Sequence, residues 1–279
     1  WEVDESLEAV NEQSIAWFRS NFSQTLVQIE ENFKQYRLSE ALMDIYKLVW
    51  DDFCSWYLEM IKPAYQSPID RATFEATKGF FTDILKLLHP FMPFLTEELW
   101  HDELFGDRGE MDCCIVAPYP TATDIDAPLL KDIAVIQSVI SEIRNIRNSK
   151  QISPKEALPL AIKANSSIAY NQYLSIIAKL ANTSEITFVT EKPNGASAFL
   201  AGTDEFFVAL TQSIDADAER ERLTKEIEYL QGFLKSVDAK LSNERFVQNA
   251  KADIVDNERR KKADAEAKIA ILQESLSAL

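Results

Sequence analysis

Two apolar stripes in the last 63 residues constrain this chain more than any other feature. Residues 217–279 contain no proline and a single glycine, Gly232. Leu223, Ile227, Leu230, Leu234, Val237 and Leu241 follow one another at steps of 4, 3, 4, 3 and 4. That heptad spacing suits a narrow seam between two helices. A second stripe, Ile269, Leu272, Leu276 and Leu279, runs at steps of 3, 4 and 3, and Ala265 extends it backwards by a further 4. Between the stripes, residues 242–256 carry Phe246, Val247, Ile254 and Val255. A chain folding back there pairs the two stripes antiparallel within one molecule, so the protein is expected to be monomeric. At about 1.5 Å per residue, a helix over residues 217–243 reaches ~40 Å. An arm of that length adds little to a compact core and suits contact with something large.

Upstream of the arm the period changes twice. Leu7, Val10, Trp17, Phe22, Ile29 and Phe33 recur at helical spacing. Ser39 is the expected N-cap of a second long helix, with Leu42, Ile45, Val49, Phe53, Trp56 and Met60 on its apolar face and Pro63 and Pro68 at its end. A third helix is expected over residues 71–88, ended by Pro90, and a short fourth begins at Pro93. A connector over residues 106–126 holds a short apolar run at 113–117, read as a short strand with Cys113 and Cys114 in its core. Asp126 caps a further long helix with Leu129, Ile133, Ile136, Val139, Ile140, Ile143 and Ile146 inside. After Pro154, Leu158, Leu160 and Ile162 alternate as in a half-buried strand. A helix over 167–180 and strands over 187–190 and 206–210 complete a small α+β unit with a sheet of about three strands. The expected fold is mainly α: a helical bundle with connector (1–126), a small α+β unit (127–212) and an antiparallel two-helix coiled-coil arm (213–279).

The net charge of -16 argues at first against a nucleic-acid partner. Its distribution reverses that. Residues 1–130 hold 9 Lys and Arg against 24 Asp and Glu, whereas residues 131–192 hold 8 against 5 and residues 217–279 hold 12 against 13. The acidity sits in the bundle, and the cations of the middle segment and arm remain available for phosphate.

Catalytic chemistry is not legible. There is no glycine-rich phosphate loop, and His89 and His101 have no cysteine partner at metal-ligand spacing. His89, beside Pro90, is expected to serve the fold. Cys54, Cys113 and Cys114 make no CxxC pair, which suits a reducing cytoplasm. No apolar run approaches the ~20 residues of a membrane span. The residues alone give a binding module with no catalytic group, no metal ligands and no cofactor of its own.

Two stretches resemble known proteins. The run Leu88-His89-Pro90-Phe91-Met92-Pro93-Phe94-Leu95-Thr96-Glu97-Glu98-Leu99-Trp100 strongly resembles the signature of the anticodon-binding helical domain of class Ia aminoacyl-tRNA synthetases. Trp50-Asp51-Asp52-Phe53-Cys54-Ser55-Trp56-Tyr57-Leu58-Glu59-Met60-Ile61-Lys62-Pro63 resembles an earlier helix of that domain. Leu241-Ser242-Asn243-Glu244-Arg245-Phe246-Val247-Gln248-Asn249-Ala250 resembles the hairpin of the C-terminal arm in the valyl-tRNA synthetase family, and residues 214–226 resemble the start of that arm. Isoleucine enzymes commonly end in a cysteine-rich zinc module and leucine enzymes lack the arm. The motifs HIGH and KMSKS of the class are absent, and the chain lacks an initiator Met. The resemblance therefore implies a C-terminal piece of a longer enzyme that joins valine to its tRNA with ATP and magnesium.

The resemblance also implies where tRNA is met. In the arm, Lys235, Ser236 and Lys240 on the first helix and Arg259, Arg260 and Lys261 on the second match the family's contact region, with Arg245 supporting the hairpin. Lysine and arginine are the right types to neutralise phosphates and, for arginine, to stack on bases. Arg144, Arg147, Lys150 and Lys155 form a second basic group, which either faces the tRNA or balances the acidic bundle. Glu59 and Lys62 are candidates for anticodon contact. The expected partner is valine tRNA. The remaining alternatives are a scaffold whose heptads pair with a protein, and the corresponding region of an isoleucyl- or leucyl-tRNA synthetase.

Overall fold

The computed structural model describes residues 2–102, 106, 109, 112–209, 216–243 and 252–277, with the side chains at 216–219, 222, 252 and 253 outside that description. The expected hairpin at 244–250 with Arg245, the residues 214–215 before the arm, and Leu210 and Leu279 lie outside the described residues. The chain divides into two compact units, Trp1–Ala134 and Val135–Leu279. The division falls inside a helix, eight residues beyond the boundary read at 126, and the second unit holds both the α+β elements and the arm.

The first unit is built on helices α1 (Glu12–Lys34), α2 (Leu38–Lys47), α3 (Leu58–Ile61), α4 (Arg71–Leu88) and α5 (Pro93–Trp100). A short parallel pair, β1 (Val3–Asp4) and β2 (Ile69–Asp70), ties the leading segment to the start of α4. Asp70 caps α4 by accepting the Thr73 backbone N–H at 2.8 Å. The core is aromatic: Phe18 packs against Phe22, Phe53, Tyr57 and Phe80. Burial of Tyr57 raises its phenol pKa to about 12, so it stays neutral.

Four sequence expectations change in this unit, the first being that Leu7 and Val10 precede α1 and lie exposed. Ser39 is not the cap, because α2 begins at Leu38 without a side-chain cap. The turn before it is closed instead by α1's own carbonyls, with Arg37 N–H donating to Asn32 O at 2.8 Å and Tyr36 at φ 58°. Residues Leu48–Tyr57 between α2 and α3 are π-helical. The buried face runs through Ala41 and Ile45 of α2 to Leu48, which leaves Leu42 exposed, and the wider turns then put the next buried side chain, Phe53, five residues after Leu48. The run at 113–117 is a short 3-10 turn, Cys114–Val116, not a strand. Among the described residues no strand pairs with it; Cys114 is buried against Leu85 and Trp100, and Ala117 packs on the same cluster.

Helix α6 (Ala127–Ser149) runs across the boundary between the units. Its capping is as expected: Asp126 accepts the Leu129 N–H at 3.0 Å, and Ile133, Ile136, Val139, Ile140 and Ile143 are fully buried. The sheet has four strands rather than three: β3 (Leu158–Lys163), β4 (Thr183–Phe188), β5 (Ala196–Ala201) and β6 (Asp204–Ala209), in the order β4-β3-β6-β5. β3 and β4 are parallel and joined through α7 (Leu174–Ala181); the other pairings are antiparallel. The helix read over 167–180 is shorter, with a 3-10 turn at Tyr170–Gln172 before α7. Asn182, at φ 51°, ends α7 in the left-handed conformation that asparagine tolerates.

Helices α8 (Ala216–Leu241) and α9 (Ala252–Ser277) pack along each other. Lys240 meets Glu258 and Asp238 meets Lys262, so as one helix descends the other ascends, and the pair is antiparallel. α9 also packs on β5. No described helix is long and apolar enough to cross a membrane.

Candidate nucleic-acid interface

The seam of α8 and α9 follows from the stripes. Leu223, Ile227 and Val237 are buried on α8, with Leu230, Leu234 and Leu241 half-buried between them. Val255, Ala265 and Ile269 are buried on α9. The stripe that a protein partner would need is thus covered within the chain, which removes the main support for the protein-scaffold alternative.

The α9 stripe continues further back than its apolar residues reveal. Val255, Glu258, Lys262, Ala265 and Ile269 keep the steps of 3, 4, 3 and 4, so a glutamate and a lysine occupy seam positions. The Glu258 side chain is only 8% exposed. It accepts from Lys261 at 2.7 Å and from Lys240, across the seam, at 3.3 Å. The Lys261 hydrogen bond leads in lowering the Glu258 pKa, with Lys240 adding to it. Lys262 reaches across to Asp238 at 2.7 Å. One buried carboxylate therefore fixes two of the expected contact cations side by side.

Of the other arm cations, Arg259 pairs with Asp256 at 3.2 Å on its own helix, whereas Lys235 and Arg260 are exposed and make no ion pair with a described residue. Lys225 pairs with Glu221 at 2.6 Å, as its spacing implies. Charge is polarised along the arm. Residues 235–262 hold eight Lys and Arg against five Asp and Glu, while residues 217–234 and 263–279 together hold four against eight. The cationic end is the one at which Lys240 and Glu258 meet.

The second basic group does something else. Arg147 is 6% exposed, and its guanidinium donates to the carbonyls of Ser153 (3.1 Å), Glu156 (2.6 Å), Ala181 (3.0 Å) and Asn182 (2.8 Å). Burial lowers its pKa, though arginine remains charged. Arg147 is thus a clamp that binds the end of α6 to the end of α7, and it leaves the set of expected phosphate contacts. The sequence carried the signal: Arg147 lies four residues after Ile143 and seven after Ile140, on the isoleucine face rather than opposite it. Arg144 is exposed and donates to Leu180 O at 3.0 and 3.3 Å. Lys150 is half-buried and lines a cavity of about 300 Å³ with Glu142, Glu226 and Lys268.

In the bundle, Glu59 and Lys62 pair with each other at 2.9 Å on the surface. Trp56 is half-buried, in keeping with its place on the expected apolar face, and Tyr57 is fully buried. Periodicity gave no reason to single out Tyr46 and Trp50, which stack on each other at 6.3 Å and 10° while both remain exposed. Exposed aromatic faces of this kind suit unstacked bases. His89 serves the fold, with Nδ1 2.7 Å from the Thr96 hydroxyl, joining the end of α4 to α5.

Comparison with known proteins supplies the context for these features. Residues 16–162 match the family model described as the anticodon-binding domain of tRNA ligase, and residues 215–279 match the model described as the valyl tRNA synthetase tRNA binding arm. Similar proteins include a valine–tRNA ligase of Parabacteroides distasonis, 44% identical over 100% of this chain and 32% of that protein. A valine–tRNA ligase of Phocaeicola vulgatus is 47% identical over 94% of this chain and 30% of that protein. That of Bartonella henselae is 32% identical over 93% of this chain and 30% of that protein. The chain spans about a third of the length of the curated relatives it matches.

Proposed function

Since the chain belongs to the family of tRNA-ligase anticodon-binding domains, we propose that it is the tRNA-holding part of a cytoplasmic valine–tRNA ligase, bound to valine tRNA at both anticodon and corner. The carrying observation is the cationic end of the α8–α9 pair, where Glu258 holds Lys240 and Lys261 and leaves Lys235 and Arg260 exposed. Such an array suits the repeated phosphates of a backbone rather than a single anion. In this reading the pair is a coiled-coil arm, monomeric within one chain, and Lys235, Lys240, Arg259, Arg260 and Lys261 meet the tRNA corner. Arg144 and Lys150 stand as secondary contacts nearer the arm's root. In the bundle, the Tyr46–Trp50 stack joins Glu59 and Lys62 as the candidate anticodon contact, since a neutral aromatic surface can engage bases within an acidic domain.

The division into anticodon bundle, α+β link and arm gives the tRNA two points of attachment. Two attachments fix the orientation of its acceptor end, and in the longer protein that positioning assists the joining of valine by ATP and magnesium at a site elsewhere. The test is binding of the chain to valine tRNA and to other tRNAs across a range of salt. Tighter binding of valine tRNA, weakening steeply with salt, is expected. Equal binding of all tRNAs at moderate salt refutes the recognition.

A further inference from the structure

At the end of α5 the fold assembles a mixed donor set that the linear spacing conceals. Glu97 and His101 lie one turn apart at the end of α5, and Cys113 immediately precedes the 3-10 turn Cys114–Val116. One ligand atom from each, a Glu97 carboxylate oxygen, a His101 ring nitrogen and the Cys113 sulfur, all lie within 4.8 Å of one another. His101 Nε2 is 3.4 Å from Glu97 Oε1. Nitrogen and oxygen ligands about 2.0–2.2 Å from a tetrahedral zinc ion stand ~3.3–3.6 Å apart. That edge is already present.

The surroundings hold the three groups in place. The Cys114 backbone N–H donates to Glu97 Oε1 at 2.9 Å, which fixes the carboxylate beside the cysteine. Trp100 Nε1 donates to Asp112 O at 2.9 Å and so fixes the backbone on the other side of Cys113. Beneath them Leu85, Trp100 and Cys114 form a buried apolar cluster. Outer hydrogen bonds that orient the ligands, over an apolar floor, are what metal sites require beyond the ligands themselves.

We propose that Glu97, His101 and Cys113 bind a zinc ion that clips the connector to α5. Thiolate and imidazole together select zinc over magnesium or calcium, which take oxygen ligands. Three protein ligands leave one position for water. The expectation that the chain offers no metal ligands rested on distance along the sequence: His101 and Cys113 are twelve residues apart, and folding closes that gap. The site is independent of the tRNA-binding role.

Cobalt(II) titration of the full chain tests the proposal, since a cobalt–thiolate bond gives a near-ultraviolet charge-transfer band and tetrahedral cobalt absorbs strongly in the visible. Both bands are expected, and zinc should abolish them by displacement. Cys113→Ser should remove the charge-transfer band, and His101→Gln should weaken binding by at least ~10-fold, the lower end of losses seen even for outer-shell changes. Cys54→Ser and Cys114→Ser should leave the band in place. As a readout on the unaltered protein, zinc should slow alkylation of Cys113 and leave exposed Cys54 reactive. No cobalt band, a band that survives Cys113→Ser in a chain of unchanged helicity, or alkylation of Cys113 unaffected by zinc each overturns the site.

Discussion

Changing Arg147 to Met separates holding the fold from holding RNA. Methionine keeps an unbranched apolar stem of similar length and removes the guanidinium. Four carbonyls then lose the guanidinium: Ser153, Asn182 and Glu156 each keep another N–H, from Glu156, Leu158 and the Asn182 side chain, and Ala181 is left without one among the described residues. Hydrogen bonds to a charged group contribute about 1.5–3 kcal/mol each, and an orphaned buried acceptor costs about 1–3 kcal/mol. Against this stands the desolvation of the guanidinium, several kcal/mol, which the variant no longer bears. The expected net destabilisation is about 3–5 kcal/mol, the range found when one partner of a buried charged arrangement is removed. For a unit of this size each kcal/mol moves the midpoint by ~2–4 °C, so the transition of the 135–279 unit should fall by roughly 6–20 °C. Circular dichroism during heating measures it. Binding to tRNA, measured well below that transition, should be unchanged. Arg144→Ala, at an exposed side chain bonded to the Leu180 carbonyl, should shift stability by less than ~1 kcal/mol. An Arg147→Met protein that melts like the parent yet binds tRNA more weakly would refute the clamp and return Arg147 to the RNA surface.

Other substitutions probe the arm and bundle. Lys235→Glu with Arg260→Glu should weaken tRNA binding and lower the slope of log affinity against log salt by up to ~2, near 0.9 for each phosphate that is no longer neutralised; an unchanged slope removes both residues from the interface. Trp50→Ala should weaken binding by about 1–3 kcal/mol with the salt slope preserved, because stacking releases no counterions; a binding curve identical to the parent's excludes the stack. The carboxyl of Glu258 is lowered in the folded arm, so its stabilisation is present above the ordinary glutamate pKa of 4.5 and fades as pH falls through the lower, folded value. Acid titration of arm helicity should therefore flatten in Glu258→Gln, and an equally steep acid transition in that variant would contradict the assignment. Val237→Asp places an unpaired charge in the seam and should unfold the α8–α9 pair while the bundle's near-ultraviolet signal persists; an intact arm would mean the seam is not where Val237 lies.

Strong periodicity was legible, and weak or wide periodicity was not. The seam of α8, the isoleucine face of α6 and the Asp126 cap follow directly from spacing because each element buries one continuous face. β5 escaped notice because Ala196-Ser197-Ala198-Phe199-Leu200-Ala201 has no β-branched residue, so its strand character comes from pairing with β6 and not from propensity. The π-helical stretch was unreadable for a related reason: an i, i+3, i+4 template assumes α-geometry, and Leu48–Tyr57 departs from it. Site residues divide in the same way. Lys235 and Arg260 are exposed, as their charge implies, whereas Arg147 is buried, because its position on the isoleucine stripe outweighs its charge. Glu258 and Lys262 were missed on the arm's seam because the stripe had been followed only through apolar residues.

Those polar seam residues bear on how an acidic chain can hold RNA. A seam made only of Leu, Ile and Val tolerates a shift of one helix along the other by a heptad, since the apolar pattern repeats. Glu258 breaks that degeneracy. A shift by seven residues would carry it away from Lys240, leaving a buried carboxylate with one donor fewer, and would separate Asp238 from Lys262. The polar pairs thus select one register, at the end of the arm where apolar burial gives way to charge. Register in turn decides which cations stand together: Lys240 is placed beside Lys261 only when Glu258 lies between them. In the proposed reading, the cations that this register gathers, and not the overall charge of -16, are what a phosphate backbone would meet at the arm.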